Sequence, residues 1–391
     1  MKHNFLMIPG PIEVDSDILT EMSAPLIAHY GPDWVPFHNE TVNLVKQVFC
    51  AQQSDLFLMP GPGSVAIETA ISSLLSDGSK ALVITNGFFG DRWLKVVRTY
   101  TKQVISVAAQ WGKPVQIEAV RSVLKKERDI KVAIVVHGET STGMVNPIKE
   151  IAPICHEYGA ILIVDAVSTL GGVPLPVDEW KIGICATATQ KCLECPPGLA
   201  PISMSADAWR AVEKCSSPGW YMNLRTWKEY IVRWGDWHPH PVTMPTGLTK
   251  ALHLSCTKIL EEGLEARFAR HARFAHMVRR GLQNLGFELF IDQEEYQSNT
   301  FTAIKTHERL PANLLVKYLK EKHHIQIAGG LDELAGKIFR IGHMGPTASS
   351  RAVLPTLFAI EEALRESGVH IKRGACFEGL GLDVEAALSN I

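Results

Sequence analysis

The chain has 391 residues, 46% of them hydrophobic and 20% charged, with a formal net charge of -2. That balance fits a soluble globular protein of two or three domains and gives no global pull toward nucleic acid or an anionic membrane. The opening MKHNFLMIPGPIEVD holds only a short apolar run broken by prolines, and no later run approaches the ~18 uncharged residues of a membrane span, so a cytoplasmic location is expected.

From residue 56, short apolar runs alternate with helical patterns. DLFLM (55–59), ALVIT (81–85), VISVA (104–108), VAIVVH (132–137), ILIVDA (161–166), IGICATAT (182–189) and LAPISMS (199–205) read as strands. VAIETAISSLL, DRWLKVVRTY and PIKEIAPICHEYG between them read as helices. This alternation predicts an α/β fold, a mostly parallel sheet with helices on both faces. Two long helical patterns follow, TKALHLSCTKILEEG and EARFARHARFAHMVRRGLQNLG. FELFI, FTAIKT, IQIAGG and IFRIGH then read as strands around the helix ANLLVKYLKEK, and VLPTLFAIEEALRES closes the pattern. The expected division is an N-terminal arm over 1–14, a large domain over 15–261 and a smaller C-terminal α+β domain over 262–391.

GPGSVA (61–66), between a strand and a helix, matches the dinucleotide fingerprint G-x-G-x-x-A. ALVIT, however, runs into Asn86-Gly87 with no carboxylate for a ribose. A phosphate cup at a helix N-terminus is the better functional reading, and a structural turn the plain one. Cys192-x-x-Cys195 has no second pair to complete a zinc site, and Pro196-Pro197-Gly198 disfavours the helix a redox motif needs. Buried thiols and no metal are expected. The eight cysteines show no framework spacing, which fits reduced thiols.

Asp165 ends a strongly apolar strand, where open α/β sheets place ligand chemistry; the plain alternative is a helix cap. Lys191 follows IGICATAT and TQ. A lone lysine is usually a surface residue, but a desolvated one becomes an amine nucleophile. A phosphate cup, a strand-end aspartate and a strand-end lysine together are the parts for pyridoxal phosphate. Its aldehyde needs an amine, its ring nitrogen a carboxylate and its phosphate backbone donors. Arg340, in FRIGHMG, reads either as a structural ion pair or as a bidentate clamp for a substrate carboxylate.

Nearly end to end, the sequence resembles the class V, fold type I, pyridoxal-phosphate-dependent aminotransferases. The nearest branch holds the alanine–glyoxylate and serine–pyruvate aminotransferases, with pyridoxamine–pyruvate aminotransferase beside it. The resemblance rests on PGP (9–11), GPGS, NGFFGDR (86–92), HGETSTG (137–143), VDAVSTLGG (164–172), TQKCLECPPG (189–198) and RIGHMG (340–345), in order. It implies that Lys191 carries the coenzyme and moves the substrate proton, and that Asp165 pairs with the ring nitrogen. It puts Phe89 and Val167 on the two ring faces and Thr140 near the ring hydroxyl. Gly63, Ser64 and Gln190 would hold the phosphate, helped by Thr243 from a second subunit, which implies a homodimer. Arg340 would bind the substrate carboxylate, with Tyr30, Trp34, His240 and Phe89 supplying bulk around a small pocket.

The chain departs from the family pattern at Pro62, where relatives often have a serine, and at His240, where a tyrosine is common. The stretch AHYGPDWVPF (28–37) also differs. Pyridoxamine–pyruvate aminotransferases are expected to carry a glutamate near Pro62, which is absent. The implied activity is ping-pong transfer from a small donor, alanine or serine, to glyoxylate or pyruvate. Alternatives are pyridoxamine–pyruvate or ureidoglycine–glyoxylate transfer, a lyase or cysteine desulfurase on the same fold, or a NAD-dependent oxidoreductase. Gln190 before Lys191 disfavours the desulfurase, where a histidine is usual.

Overall fold

The computed structural model describes residues 3–216 and 219–380, so the last stretch of the expected C-terminal domain, 381–391, lies outside the described residues. The large sheet has strands β1 (Asp55–Gly61), β2 (Lys80–Thr85), β3 (Val104–Ala108), β4 (Ile130–Val136), β5 (Ile161–Asp165), β6 (Ile184–Ala186) and β7 (Gly198–Met204). Their spatial order is β1-β7-β6-β5-β4-β2-β3. Only β7 runs against the rest, between β1 and β6. The α/β fold with a mostly parallel seven-stranded sheet is thus the observed one.

The strands are apolar on both sides because both sides are buried. Leu56, Leu58, Leu82, Ile84, Ala133, Val135, Leu162 and Val164 face one core, which helix α1 (Trp34–Phe49) covers. The alternate residues Phe57, Met59, Ala81, Val83, Val132, Ile134 and Ile163 face a second core, under helices α2 (Gly63–Leu74) and α3 (Phe88–Tyr100).

A smaller antiparallel sheet holds β8 (Phe301–Lys305), β9 (Ala328–Gly329) and β10 (Ile338–Gly342), with β10 in the middle. Helices α4 (Leu264–Asn284) and α5 (Ser350–Glu366) pack with it around Phe339, Ile341 and Leu357. The N-terminal stretch joins the two parts. Phe5–Leu6 pairs with Ile325–Gln326, Gly342 N–H donates to Met7 O at 2.8 Å, and Ile12 N–H donates to Gln190 O at 3.3 Å.

Two expected strands are corrected. FELFI is no regular strand: it runs beside β8 with one isolated bridge, Leu289 to Ile304, and the bonds Phe290 N–H to Ala303 O and Lys305 N–H to Glu288 O. IGICATAT keeps only Ile184–Ala186 as strand, and the chain then turns through Thr189, Gln190 and Lys191. Thr187 and Thr189 still donate to Pro201 O and Leu199 O, so β7 guides that turn. Sequence periodicity also left α1 and the helices Ile117–Lys126 and Leu224–Trp234 unread. No helix among the described residues is long and apolar enough to cross a membrane.

Candidate active site

The C-terminal ends of the parallel strands open on a cavity of about 320 Å³. It is lined by Gly63 and Ser64 after β1, Phe89 after β2, Thr140 after β4, Asp165 and Val167 at the end of β5, and Gln190 and Lys191 after β6. Eight of the sequence-selected residues therefore meet in one place, the edge where open α/β sheets bind ligands.

Helix α2 starts at Gly63 with Pro62 as N-cap and no side chain capping it. Its first amides point their partial positive charge at the cavity, an anion site by construction. Gly63 is required there: a Cβ would come within 2.7 Å of Val167 Cγ2. The Gln190 Oε1 atom is buried without a partner among the described residues. A buried unpaired amide is costly unless a ligand completes it, and turning this amide end for end presents its Nε2 donor, the atom a phosphate needs.

Lys191 is partly buried and donates from Nζ to the backbone oxygen of Pro9. Its pKa is lowered to about 8, chiefly by burial with help from the nearby Arg340 charge, against the opposing pull of Cys192 and Asp165. The amine is thus within reach of its neutral, nucleophilic form at physiological pH. Asp165 is 5% exposed. Burial pushes its carboxyl above the usual carboxylate range, and the Val167 N–H, the Trp93 indole and the charges of Lys191 and Arg92 offset only part of that. Oδ1 accepts from Val167 N at 3.0 Å and Oδ2 from Trp93 Nε1 at 2.7 Å.

An enclosed amine, an oriented carboxylate, an uncapped helix N-terminus and an unsatisfied amide fit pyridoxal phosphate part for part. The Cys192-x-x-Cys195 pair offers no ready thiolate. Cys192 and Cys195 are fully buried free thiols. Burial pushes Cys192 up to about 12 and Cys195 well above its usual value.

Arg340 sits in the middle strand β10, 7% exposed. Nε donates to Gly329 O at 2.9 Å and Nη1 to Thr140 O at 3.0 Å. It makes no ion pair within 4 Å among the described residues, which goes against the structural ion-pair reading.

Four residues lay outside the sequence reading. Glu139, fully buried, accepts from the amides of Phe89 at 3.1 Å and Gly90 at 3.0 Å, fixing the first turn of α3. Gly87 permits this: a Cβ there would lie 2.4 Å from Glu139 Cγ. Trp93 holds Asp165 as described. Arg92 lines the cavity, its guanidinium 4.8 Å from the Phe89 ring centre. Gly10 lines it from the N-terminal arm. Glu139 and Arg92 lie inside HGETSTG and NGFFGDR, Gly10 inside PGP, and Trp93 comes four residues after Phe89, one helical turn on.

The expected pocket wall is not assembled within one chain. Of Phe89, Tyr30, Trp34 and His240, only Phe89 lines the cavity of its own chain. Trp34 is fully buried in α1 and donates from Nε1 to His240 Nε2 at 2.8 Å. Tyr30 is 46% exposed against Trp237 and His29. Thr243 is exposed and away from this cavity. The reason is position: these side chains belong to the loops around α1 and 237–243, which flank the sheet instead of ending its strands. His29, His238 and His240 bring one nitrogen each within 4.8 Å of one another. Both ring nitrogens of His240 are already committed, Nε2 to Trp34 and Nδ1 to Val242 O at 2.8 Å, which leaves none for a metal.

Comparison with known proteins places this geometry. The family model described as "Aminotransferase class-V" matches residues 28–339. An uncharacterised aminotransferase of Methanocaldococcus jannaschii is 42% identical over 94% of this chain and 94% of its own. The L-aspartate–glyoxylate aminotransferase of Paracoccus denitrificans is 33% identical over 95% of this chain and 94% of its own. The crystal structure of ureidoglycine–glyoxylate aminotransferase from Bacillus subtilis superposes with a TM-score of 0.92 at 30% identity, covering 99% of each chain.

Proposed function

The chain belongs to the class-V aminotransferases and is a pyridoxal-phosphate-dependent aminotransferase, and we propose that it moves an amino group from a small donor, alanine or serine, to glyoxylate or pyruvate in a ping-pong cycle. The observation that carries the proposal is the Lys191 amine, lowered to about 8 and enclosed with Asp165 in one small cavity beside Arg340. Two of the relatives above are named for transfer to glyoxylate, which supports that acceptor.

When bound, pyridoxal phosphate supplies a carbonyl that takes up the amino group and a ring that draws electrons from the substrate α-carbon. Lys191 would hold it covalently and, once released, would carry a proton on Nζ from the donor's α-carbon to the coenzyme's former carbonyl carbon, and in the opposite direction, to the acceptor's α-carbon, in the second half-reaction. Asp165 keeps the ring nitrogen protonated. Gly63, Ser64 and Gln190 hold the phosphate, Phe89 and Val167 enclose the ring, and Thr140 meets its hydroxyl. Arg340 binds the α-carboxylate that donor and acceptor share, so one clamp serves both half-reactions. Thr243, Tyr30 and His240 complete the site of a second copy in a homodimer, and the enzyme works in the cytoplasm. The chain divides into an arm (1–14), a large unit (15–261) and a small unit (262–391), a division supported by the separate core around Phe339.

Arg92 favours aspartate as a second donor. It lines the cavity with no acidic partner within 4 Å among the described residues, and could meet a distal carboxylate. The deciding experiment mixes the coenzyme-loaded enzyme with alanine, serine, aspartate, ureidoglycine and pyridoxamine in turn. Loss of the coenzyme's visible absorbance, and its return with glyoxylate or pyruvate, identifies the pair. Failure of every small amino acid to bleach the band would defeat the proposal.

A further inference from the structure

Trp93 and Asp165 account for each other. The Trp93 indole is 3% exposed and donates to Asp165 Oδ2 at 2.7 Å. Val167 N–H donates to the other oxygen at 3.0 Å. An indole and a backbone amide can only donate, so the lone pairs they meet must be free of protons. Each carboxylate oxygen keeps one further acceptor position, and the pair of donors sets where it points. From this geometry we propose that Trp93 is a positioning residue of the transamination site, holding Asp165 in the one orientation that serves the coenzyme's ring nitrogen. The inference rests on the assignment of Asp165 to that nitrogen.

The helix adds a second constraint. Phe89 and Trp93 are four residues apart on α3, hence on the same side. The start of α3 is fixed by Glu139, which accepts from the amides of Phe89 and Gly90. The phenyl proposed for the ring face and the indole that orients the carboxylate are therefore placed by one rigid turn. Arg92, between Glu139's helix cap and Trp93, lies against Phe89 and adds positive charge near Asp165. A tryptophan chosen only to fill the core could be replaced by phenylalanine with little chemical consequence. One that holds a carboxylate could not.

The test uses three forms of the full chain, wild type, Trp93→Phe and Asp165→Asn, each stripped of coenzyme and titrated with pyridoxal phosphate. For Trp93→Phe, coenzyme binding should weaken on the order of 10-fold, as for losing a hydrogen bond to a charged group. The pH at which the bound coenzyme's absorbance changes should move. The kcat should fall while the KM for the oxo acid, set by Arg340, stays put. In the Asp165→Asn background the same change should add almost nothing, because the partner is already gone. If Trp93→Phe does not fold, benzothienylalanine at position 93 replaces the N–H by sulfur at nearly the same shape and should give the same results. A lower Tm with wild-type affinity, spectrum and kcat would show a packing role only and overturn the inference, as would full independent effects in the double variant. An Asp165→Asn enzyme indistinguishable from wild type would instead overturn the assignment of Asp165. An impaired Asp165→Asn beside normal Trp93 variants would overturn only the role of Trp93.

Discussion

Arg340 Nη1 donates to the backbone oxygen of Thr140 at 3.0 Å, across the boundary between the small sheet and the end of β4. With Nε on Gly329 O at 2.9 Å, the guanidinium has two of its donors committed to the main chain and its plane fixed. Burial lowers its pKa to about 10 and the Glu139 charge raises it, so it remains a cation at neutral pH. Thr140 adjoins Glu139, which caps α3 beneath Phe89. The proposed carboxylate clamp and ring-stacking residue are thus linked through two adjacent residues.

A preset fork predicts a strong, geometry-dependent effect. Arg340→Ala should lower kcat/KM for glyoxylate and pyruvate by ~100-fold or more, mostly through KM. Arg340→Lys should recover only part of that, since an ammonium cannot reproduce the fork. Steady-state kinetics with both acceptors checks this, and unchanged kcat/KM in Arg340→Ala would contradict it. Efficient turnover of 2-oxoglutarate would show that the acceptor is not restricted to small acids.

Asp165→Asn should keep the fold, because the amide oxygen can still accept from Val167 N–H, while its NH2 group, which only donates, leaves the Trp93 indole without an acceptor. It should lose most of the rate, at least ~100-fold in kcat, because ~1.4 kcal/mol is tenfold and a charge pair in a dry site is worth several kcal/mol when one partner is removed. Stopped-flow measurement of the donor half-reaction isolates the step. Turnover within a few-fold of wild type would remove Asp165 from the chemistry.

The strands of the large sheet were legible because burial on both faces makes them continuous apolar runs, and strand ends mark the site. Lys191 and Asp165 could be placed for that reason, Gly63 by the glycine turn between strand and helix, and Thr140 through family resemblance. Contacts between distant segments were not legible. Nothing in the spacing of Trp93 and Asp165 says that an indole will cross to that carboxylate, nor that Glu139 will cap α3. FELFI has strand composition, yet pairs at a single bridge, because pairing depends on the neighbour it meets and not on its own pattern. Tyr30, His240 and Thr243 were placed at the pocket through family resemblance, and a single chain does not bring them there.

The exposed face that holds those residues is rich in large apolar side chains. Leu26 is 78% exposed, Val232 75%, Trp220 56% and Trp237 49%. Apolar exposure on this scale points to a protein partner, and the proposed homodimer uses it. The intact enzyme should sediment as a dimer. Val232→Glu should shift it toward monomer and reduce activity in parallel. Thr243→Ala should leave the dimer intact and weaken coenzyme binding several-fold. A fully active monomer would contradict the shared site.

The pKa of Lys191 sets a pH dependence that can be read without substrate. The free amine attacks the coenzyme only when neutral, and burial lowers its pKa to about 8 from the ordinary lysine value. Coenzyme-free enzyme should therefore recombine with pyridoxal phosphate slowly at pH 6, faster through a midpoint near pH 8, and at a nearly constant rate above pH 9. An exposed lysine would show the rise two or more pH units higher. Stability carries the same sign. Between the lowered folded value and the ordinary unfolded one, the unfolded chain binds more protons at this residue. The Lys191 contribution to coenzyme-free stability should then improve as pH rises through that window. Arg340 is one cause of the low pKa, so Arg340→Ala should move the recombination midpoint upward while leaving Lys191 reactive. Lys191→Ala should abolish both recombination of the covalent kind and turnover, and borohydride reduction of the loaded wild type should label the peptide containing Lys191 alone. Stopped-flow absorbance across pH 6–10 measures the midpoint. A rise that begins only above pH 10, or a labelled lysine elsewhere, would show that the enclosed amine is not the one that reacts.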